Sequence, residues 1–306
     1  MSLLTVGTVA FDDIETPFGK VEMAIGGAAT YISLAASYFT KDINLVSVIG
    51  DDFPEETLQN MRSRGINLDG LQVREGEKSF FWAGKYHDNL NDRDTLDTQL
   101  NVLATFDPAL PASYGTPDYV MLGNLTPDVQ IRVIEQLTNK PKLVALDTMN
   151  FWMDNALDSL MRVLTMIDTL IINDEEARQL SGEHSLVKAA EKIIAMGPKF
   201  LVIKKGEHGA LLFHGDRIFF APALPLAEVY DPTGAGDTFA GGFMGYLAKT
   251  DDLSFENMKR AIIYGSAMAS FCVEKFSIQR LLELDQAAIT KRIQRFVDLM
   301  NFHVDL

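Results

Sequence analysis

Short apolar runs alternate along the first two thirds of the chain with segments in which apolar residues recur every three or four positions. The short runs are rich in Val, Ile and Leu and end near Gly, Asp or Asn, which is typical of strands buried on both faces. The alternation therefore predicts βαβ units and an α/β fold with a doubly wound, mostly parallel sheet flanked by helices. The predicted strands are Leu3–Val9, Asn44–Ile49, Tyr119–Leu122, Leu143–Leu146, Thr169–Ile172 and Leu201–Ile203, and the predicted helices are Ala28–Phe39, Glu55–Arg64, Asp128–Thr138, Leu157–Thr165, Asp174–Leu180 and Leu186–Ala195.

The last third of the chain has a different pattern. Ala210–Phe213 and Arg217–Phe220 are two short apolar runs joined by a turn that contains Gly215, which predicts a β-hairpin. The remaining residues show mainly helical periodicity, and the predicted helices are Asp237–Ala248, Phe255–Phe276 and Asp285–Phe302.

Two segments do not fit the alternation. Residues 11–23 are polar and contain Pro17 and Gly19, and residues 71–105 pass from an aromatic stretch at Ser79–Tyr86 into a polar run. We expect both segments to form strands and loops outside the main sheet and to pack together as a small lid. A mobile loop is the alternative, since a long polar excursion within a domain is usually either functional or disordered. The whole chain, 1–306, is then expected to form a single domain.

Composition narrows the classes of function. The 27 Lys and Arg against 42 Asp and Glu give a net charge of −15, which argues against nucleic acid as the main partner. The lone Cys272 cannot form an internal disulfide, and with only five His it makes a Cys-rich metal site untenable. The sequence shows no signal-peptide pattern and no membrane-spanning apolar stretch. We therefore expect a cytoplasmic protein that does not bind membranes.

The strongest chemical signal is Asp231-Pro232-Thr233-Gly234-Ala235-Gly236-Asp237, which precedes a helical stripe. A Gly-rich turn that leads into a helix N-terminus binds anions, because free N–H groups and the positive end of the helix dipole meet there. Asp237 would repel a phosphate at this place unless it had another task. Accepting a proton from a hydroxyl that attacks phosphorus is such a task, whereas simple helix capping is the structural alternative.

Two common nucleotide motifs are absent. The third glycine of a dinucleotide-binding fingerprint would fall at position 239, which is Phe239, and the segment lies late in the chain. No G-x-x-x-x-G-K-[ST] segment exists either, so the ordinary P-loop is excluded.

At these residues the sequence resembles the ribokinase-like, or PfkB, family of sugar and nucleoside kinases. The C-terminal signature of that family, D-T-x-G-A-G-D, corresponds to Asp231–Asp237 with Pro232 in place of a common Thr. The N-terminal signature, a Gly-Gly pair that opens a helix, corresponds to Gly26 and Gly27. The two signatures lie in the expected order, and the resemblance covers essentially the whole chain.

The resemblance implies roles for residues around the phosphates. Asp237 corresponds to the catalytic base, and the amides that follow Gly234, those of Ala235, Gly236 and Asp237, correspond to an anion hole. ATP and Mg²⁺ are the implied cofactors, and K⁺ near Asp231 is implied by the resemblance alone. The residues implied in nucleotide binding are Lys204, Gly206, Gly209, Thr233 and Asn173, with Glu176 associated with Mg²⁺ through water.

The acceptor side is implied near the N-terminus. Asp13, and with a weaker correspondence Asp12, would accept hydrogen bonds from substrate hydroxyls beside Gly26 and Gly27. Many family members carry Asn, a sugar-hydroxyl ligand, where this chain has Tyr31. Tyr31 is therefore expected either to stack on a ring of the substrate or to pack on its helix.

Some further residues have two interpretations. Asp147 or Asn150, at the end of a predicted strand, would assist Mg²⁺ or the phosphates or else cap a loop. Arg93 lies in a polar stretch and would either contact an anionic substrate or remain solvated. The aromatic residues Phe80, Phe81, Trp82 and Tyr86 would face the substrate, a partner or the interior of the lid.

The expected activity is transfer of the γ-phosphoryl group of ATP to a hydroxyl, most simply a primary one, of a sugar-like molecule. A ribonucleoside is the first alternative acceptor, since the aromatic lid and Tyr31 suit a flat base. A non-catalytic, ligand-binding protein of the same fold is the second alternative. Lids in this family commonly mediate dimers, so a homodimer through the lid is also expected.

Overall fold

The computed structural model describes residues 1–301, so the predicted end of the last helix at Phe302 lies outside the described residues. Within this range two separate sheets are present, and helices cover the larger one. The strands are β1 (Leu3–Val6), β2 (Ala10–Thr16), β3 (Gly19–Gly26), β4 (Ile43–Gly50), β5 (Ile66–Arg74), β6 (Phe80–Tyr86), β7 (Arg93–Gln99), β8 (Tyr119–Leu122), β9 (Leu143–Asp147), β10 (Thr169–Asn173), β11 (Phe200–Lys204), β12 (Ala210–His214) and β13 (Arg217–Ala221). The helices are α1 (Ala28–Ala36), α2 (Glu55–Ser63), α3 (Pro127–Glu135), α4 (Asn150–Asn155), α5 (Leu157–Leu164), α6 (Asp174–Ser181), α7 (Leu186–Ile194), α8 (Ala235–Thr250), α9 (Phe255–Cys272), α10 (Gln279–Glu283) and α11 (Gln286–Met300).

The main sheet has nine strands in the order β13-β12-β11-β10-β9-β8-β1-β4-β5. All neighbouring pairs from β11 to β5 are parallel, and the β12–β13 hairpin completes the sheet in antiparallel orientation. The doubly wound α/β prediction and the predicted hairpin are therefore confirmed. Since β1 lies between β8 and β4, the strand order reverses there, and ligands of open α/β sheets bind beyond the carboxyl ends of strands near such a point.

The predicted strand Leu3–Val9 ends early, because the chain leaves the main sheet after Val6 and enters the second sheet at Ala10. A Cβ at Gly7 would lie 2.8 Å from the amide nitrogen of Ala29, so the chain turns against the start of α1 with no room for a side chain. This turn places the second sheet directly above the edge of the first.

The second sheet, called the small sheet below, has the order β3-β2-β6-β7. Because β2 and β6 pair in parallel, with Ala10 opposite Phe80, the two segments that do not fit the alternation, residues 11–23 and 71–105, pack together as predicted. The boundary at residue 71 was wrong: Leu71–Arg74 belongs to β5, which pairs with β4 in the main sheet. A 3₁₀ helix at Asn101–Thr105 also lies outside the small sheet, and its Val102 is fully buried in the main core.

The strand β5 escaped prediction because its polar and apolar residues alternate. It is the edge strand of the main sheet, with only one side of its first residues buried. Among the helices, α4 and α10 were not predicted, and α9 ends at Cys272 rather than Phe276. The residues after Cys272 turn back toward the Gly-rich motif, since the amide of Tyr230 donates a hydrogen bond to the carbonyl of Val273.

Two apolar clusters lie on opposite faces of the main sheet, one beneath α1, α8 and α9 and the other beneath α3, α5 and α7. The helices α1 and α8 pack unusually closely, because a Cβ at Gly241 would lie 2.3 Å from the carbonyl oxygen of Ile32. The two signature motifs, which each open one of these helices, are thereby brought side by side. No helix within residues 1–301 is long and apolar enough to cross a membrane.

Candidate active site

The Gly-rich turn forms the N-terminus of α8. Gly234 is the N-cap residue with φ of +72°, a left-handed conformation in which a side chain is strained. A Cβ there would also lie 2.4 Å from the ring of Tyr31, so the turn rests directly on that ring. The amide of Ala235 donates to the carbonyl of Pro232. Of the three amides expected in the anion hole, those of Gly236 and Asp237 are therefore the better placed to bind an anion.

Asp231 holds this turn in place. One of its carboxylate oxygens accepts a hydrogen bond of 2.9 Å from the amide of Thr233, and the other accepts one of 2.9 Å from the amide of Ser277. The side chain is 1% exposed. Both oxygens thus already have backbone donors, and no group of three or more metal-ligating side chains occurs in the described part of the chain. The K⁺ site near Asp231 stays a prediction.

Three neighbouring strands of the main sheet end in polar residues. Asp147, Asn173 and Lys204 are the last residues of β9, β10 and β11, which lie side by side. The ammonium group of Lys204 donates a hydrogen bond of 3.1 Å to the carboxylate of Asp147, and both side chains are largely buried. A Cβ at Gly236 would lie 2.9 Å from the same ammonium nitrogen. The cation therefore lies against the start of α8, where the anion hole was predicted.

Asn173 and Glu176 bind each other. The side chain of Asn173 caps α6 by accepting from the amide of Glu176 at 2.8 Å, and the carboxylate of Glu176 accepts from the amide of Asn173 at 2.7 Å. This capping box explains the N-x-x-E spacing locally. Burial raises the pKa of Glu176 to about 7, and Lys204 opposes that rise.

Asp237 lies within the electrostatic field of this group. Loss of hydration and the negative charge of Asp147 raise the pKa of its carboxyl to about 7, against the opposing effect of the cations Lys204 and Arg93. The residue remains partly exposed, unlike Asp231. A carboxylate with a pKa near 7 that borders a buried ammonium group is well suited to accept a proton at neutral pH.

Of the two aspartates predicted to bind the acceptor, the structure brings only Asp12 to this cleft. Its carboxylate is 5% exposed, and burial together with the negative charges of Asp231 and Asp237 raises its pKa to about 8. A Cβ at Gly26 would lie 1.9 Å from a carboxylate oxygen of Asp12, so Gly26 is needed to make room. Asp13 instead accepts a hydrogen bond from the amide of Met23 within the small sheet.

Gly27 and Tyr31 have structural positions at the start of α1. Gly27 has φ of +94°, and a Cβ there would lie 2.4 Å from the carbonyl oxygen of Thr8. Tyr31 is 1% exposed, and its ring packs beneath Gly234. Of the two expected roles, the ring therefore packs within the protein and does not stack on a substrate. Its hydroxyl has no hydrogen-bond partner among the described residues.

The small sheet reaches the cleft at two points. The hydroxyl of Thr233 donates a hydrogen bond of 3.1 Å to the hydroxyl of Tyr86 on β6. The loop between β6 and β7 approaches the predicted nucleotide loop, since a Cβ at Gly206 would lie 3.0 Å from the side-chain oxygen of Asn91. The sequence left Tyr86 facing the substrate, a partner or the interior of the lid, and its contact with Thr233 was not predicted.

Other predicted residues lie apart from these groups. Gly209 has φ of +94° and packs against the carbonyl of Ala221, which is a backbone role. Asn150 hydrogen-bonds to Gln179 at the start of α4.

Comparison with known proteins agrees with this geometry. Residues 5–284 match the model of the pfkB family carbohydrate kinases. A cytidine kinase of Thermococcus kodakarensis is 29% identical over 80% of this chain and 87% of its own, and a nucleoside kinase of Methanothermobacter thermautotrophicus is 27% identical over 89% of each.

Solved structures show the same fold. The nucleoside kinase of Methanocaldococcus jannaschii, described as an archaeal member of the ribokinase family, superposes with a TM-score of 0.77 at 20% identity, covering 96% of this chain and 99% of that one. The nucleoside kinase of Burkholderia thailandensis in complex with inosine has a TM-score of 0.77 at 20% identity, covering 96% and 98%. With its family match, its ordered signatures and this fold, the chain belongs to the pfkB family of carbohydrate kinases and is a phosphotransferase.

Proposed function

We propose that this kinase transfers the γ-phosphoryl group of ATP to a primary hydroxyl of a ribonucleoside, with Asp237 as general base. The observation that carries the proposal is the position of Asp237 in the first turn of α8, beside the buried ammonium group of Lys204. Phosphoryl transfer requires positioning and neutralisation of spreading negative charge, and a helix N-terminus with an adjacent cation supplies both.

The residues present fit a phosphate group. Gly236 lacks the Cβ that would fill the space before Lys204, so the backbone amides and the ammonium group border one small cradle. The attacking hydroxyl forms the new bond to phosphorus, its proton passes to the carboxylate of Asp237, and the bond to the departing ADP breaks. Lys204 keeps its positive charge in this setting, because Asp147, Glu176 and Asp237 raise its pKa against the effect of burial.

Mg²⁺ would neutralise the phosphate oxygens when bound. Glu176 and Asp147 supply carboxylates near Lys204, but the described residues contain no cluster of three or more potential metal ligands. The carboxylates of Glu176 and Asp147 would hold Mg²⁺ through water, beside the phosphate oxygens.

Asp12 is the proposed ligand of the acceptor's other hydroxyls. Its carboxyl group borders the cleft near Asp237, and burial together with the negative charges of Asp231 and Asp237 raises its pKa. Relatives named as cytidine kinase and nucleoside kinase favour a ribonucleoside over a free sugar. The aromatic side chain of Trp82 on β6, which is directly opposite Asp12 in the pair of β2 and β6, suits a base. These observations support acceptors that carry a ribose.

The small sheet is proposed to act as the lid over the acceptor and as the surface of a homodimer. Its contacts with Thr233 and Gly206 already span the cleft. It also exposes large apolar side chains, among them Phe18, Met23 and Leu96. Light scattering tests the dimer: a monomer at working concentration would contradict it.

An acceptor panel tests the proposed function. ADP release is measured with ATP, Mg²⁺ and either ribonucleosides or the free sugars ribose and fructose, in the wild type and in Asp237→Asn. The proposal expects release with a ribonucleoside only, and a strong loss in the variant. Release with free sugars alone would make the protein a sugar kinase, and tight nucleoside binding without release from any acceptor would favour a non-catalytic binding protein.

A further inference from the structure

Arg93 is a cation of the small sheet that the proposed reaction has not yet used. It is the first residue of β7 and is exposed, and within residues 1–301 no carboxylate lies within salt-bridge distance of it. This arginine lies at the mouth of a cleft proposed to bind ATP, and no protein anion neutralises it. Its guanidinium group is therefore suited to bind the phosphate oxygens of the nucleotide.

The register of the small sheet determines where Arg93 points. Arg93 is directly opposite Tyr86 in the antiparallel pair of β6 and β7, and directly opposite residues project to the same face. Tyr86 faces the Gly-rich turn, because its hydroxyl accepts the hydrogen bond from Thr233. Arg93 therefore projects from the same face of the sheet toward the N-terminus of α8.

A platform on that face supports the arginine. Gly84 has no side chain, and a Cβ there would lie 2.1 Å from the ring of Trp82, so the indole lies flat along the strand. The guanidinium carbon of Arg93 is 5.9 Å from the centre of this ring, within cation–π distance. Stacking of this kind orients the planar guanidinium while leaving its N–H donors free for an anion.

The charge of Arg93 reaches the groups proposed to act on the phosphate. Burial raises the pKa of Asp237 and that of Glu176, and the positive charge of Arg93 opposes both rises. These two carboxylates belong to α8 and α6 of the main domain, and the other charged groups that face them are Asp147 and Lys204. Arg93 is thus the small sheet's electrostatic contribution to a site otherwise built by the main sheet.

We propose that Arg93 binds the transferred γ-phosphoryl group, so that closure of the small sheet completes the positive field around it. The inference rests on the proposed function and deepens it, since it makes the small sheet part of the phosphate site as well as a cover for the acceptor. A bidentate guanidinium contact would be made to ATP and to the transition state but not to ADP, which lacks the γ-phosphate.

The test compares wild type, Arg93→Gln and Arg93→Lys, with Lys85→Gln as the matched control. Lys85 neighbours Tyr86 on β6, but it projects to the other face and pairs with Glu15. Calorimetry with Mg²⁺ measures the affinity for a non-hydrolysable ATP analogue and for ADP. We expect Arg93→Gln to weaken the analogue about tenfold and ADP hardly at all, with Arg93→Lys in between and Lys85→Gln unchanged.

Kinetics supply a second readout. Arg93→Gln is expected to lower kcat about 10²-fold while the KM of the acceptor changes little, and to move the acid limb of the pH profile of kcat/KM upward, because Asp237 loses a neighbouring cation. An unchanged preference for the ATP analogue over ADP would overturn the inference. So would a loss confined to the acceptor KM, or an equal loss in Lys85→Gln. If no acceptor yields ADP in the wild type, the proposed function fails, yet the binding comparison still decides the role of Arg93.

Discussion

The two sides of the cleft are built in opposite ways. The turn that leads into α8 is enclosed, resting on Tyr31 and anchored through Asp231, and a Cβ at Gly234 would lie 2.4 Å from the ring of Tyr31. The small sheet is half-exposed, and β7 is exposed along its whole length. One side therefore derives its geometry from packing, whereas the other contacts it through few polar groups, such as the pair of Thr233 and Tyr86.

This difference suggests a division of labour. A general base and an anion hole act through fixed positions, so they belong on elements whose rotamers and backbone are locked by packing. A cover over the acceptor must open and close, so it belongs on an element held by few contacts. The predictions below probe each side in turn, from the largest expected effect to the smallest.

Asp237→Asn addresses the rigid side. The amide keeps the shape of the side chain but cannot accept the proton, so we expect turnover to fall by about 10³-fold while ATP still binds. Steady-state kinetics and calorimetry measure the two effects. Asp128→Asn is the matched control, because Asp128 also lies in the first turn of a helix but accepts a hydrogen bond from the hydroxyl of Ser159. Near-normal turnover in Asp237→Asn would make that residue a helix cap only.

The pH profile examines the same carboxylate without a mutation. The pKa of Asp237 is raised to about 7, chiefly by burial, and only the ionised form accepts a proton. We therefore expect kcat/KM to fall by about 10²-fold between pH 7 and pH 5. An acid limb near pH 4, the ordinary range of Asp, would contradict the environment described here.

Asp12→Asn probes the boundary between the two sides. The acceptor's KM should rise about tenfold, because the amide cannot reproduce the hydrogen bonds that the carboxyl group of Asp12 makes to the acceptor's hydroxyls. The free protein should become more stable at pH 8, by about 1–3 kcal/mol in the free energy of unfolding. The folded pKa of Asp12, about 8, exceeds its ordinary value of 3.8, so its stabilising contribution is complete at low pH and is lost as the pH rises through 8.

Denaturant titration at pH 8 and pH 4 measures this effect, and the gain in stability should vanish at pH 4. Asp13→Asn is the control, because that carboxylate binds the amide of Met23 in the small sheet instead of facing the cleft. Equal changes in the acceptor's KM in both variants would contradict a direct contact between Asp12 and the acceptor.

Tyr86→Phe weakens the contact between the two sides. It removes the acceptor of the Thr233 hydrogen bond, a contact worth about 0.5–1.5 kcal/mol. We expect a loss of a few-fold in kcat and a small rise in ATP hydrolysis without acceptor, since a looser small sheet admits water. Tyr246→Phe, at the far end of α8, is the control. Unchanged ATP hydrolysis would indicate that the small sheet does not exclude water.

Much of the fold could be predicted because parallel βαβ units impose strong local patterns. Buried strands are continuous apolar runs, so the bounds of Tyr119–Leu122 were predicted as observed, and β9 and β10 each extend only one residue beyond their predicted ends. The edge strand β5 lacked that pattern, since one side of its first residues is exposed, and its final residues were assigned to the lid in error. The end of α9 was also predicted too late, because the turn after Cys272 follows tertiary contacts with Tyr230 and Asp231.

By itself, the sequence determined the doubly wound fold, the two signatures and the order of groups around Asp237, because these depend on local periodicity and on glycines at fixed spacing. Only the tertiary structure decided that Asp12 rather than Asp13 borders the cleft, that Tyr31 lies beneath the turn, and that Lys204 pairs with Asp147. Strand register and helix packing determine which side chains face each other and at what distance. The order of residues along the chain does not specify these distances between residues that are far apart in sequence.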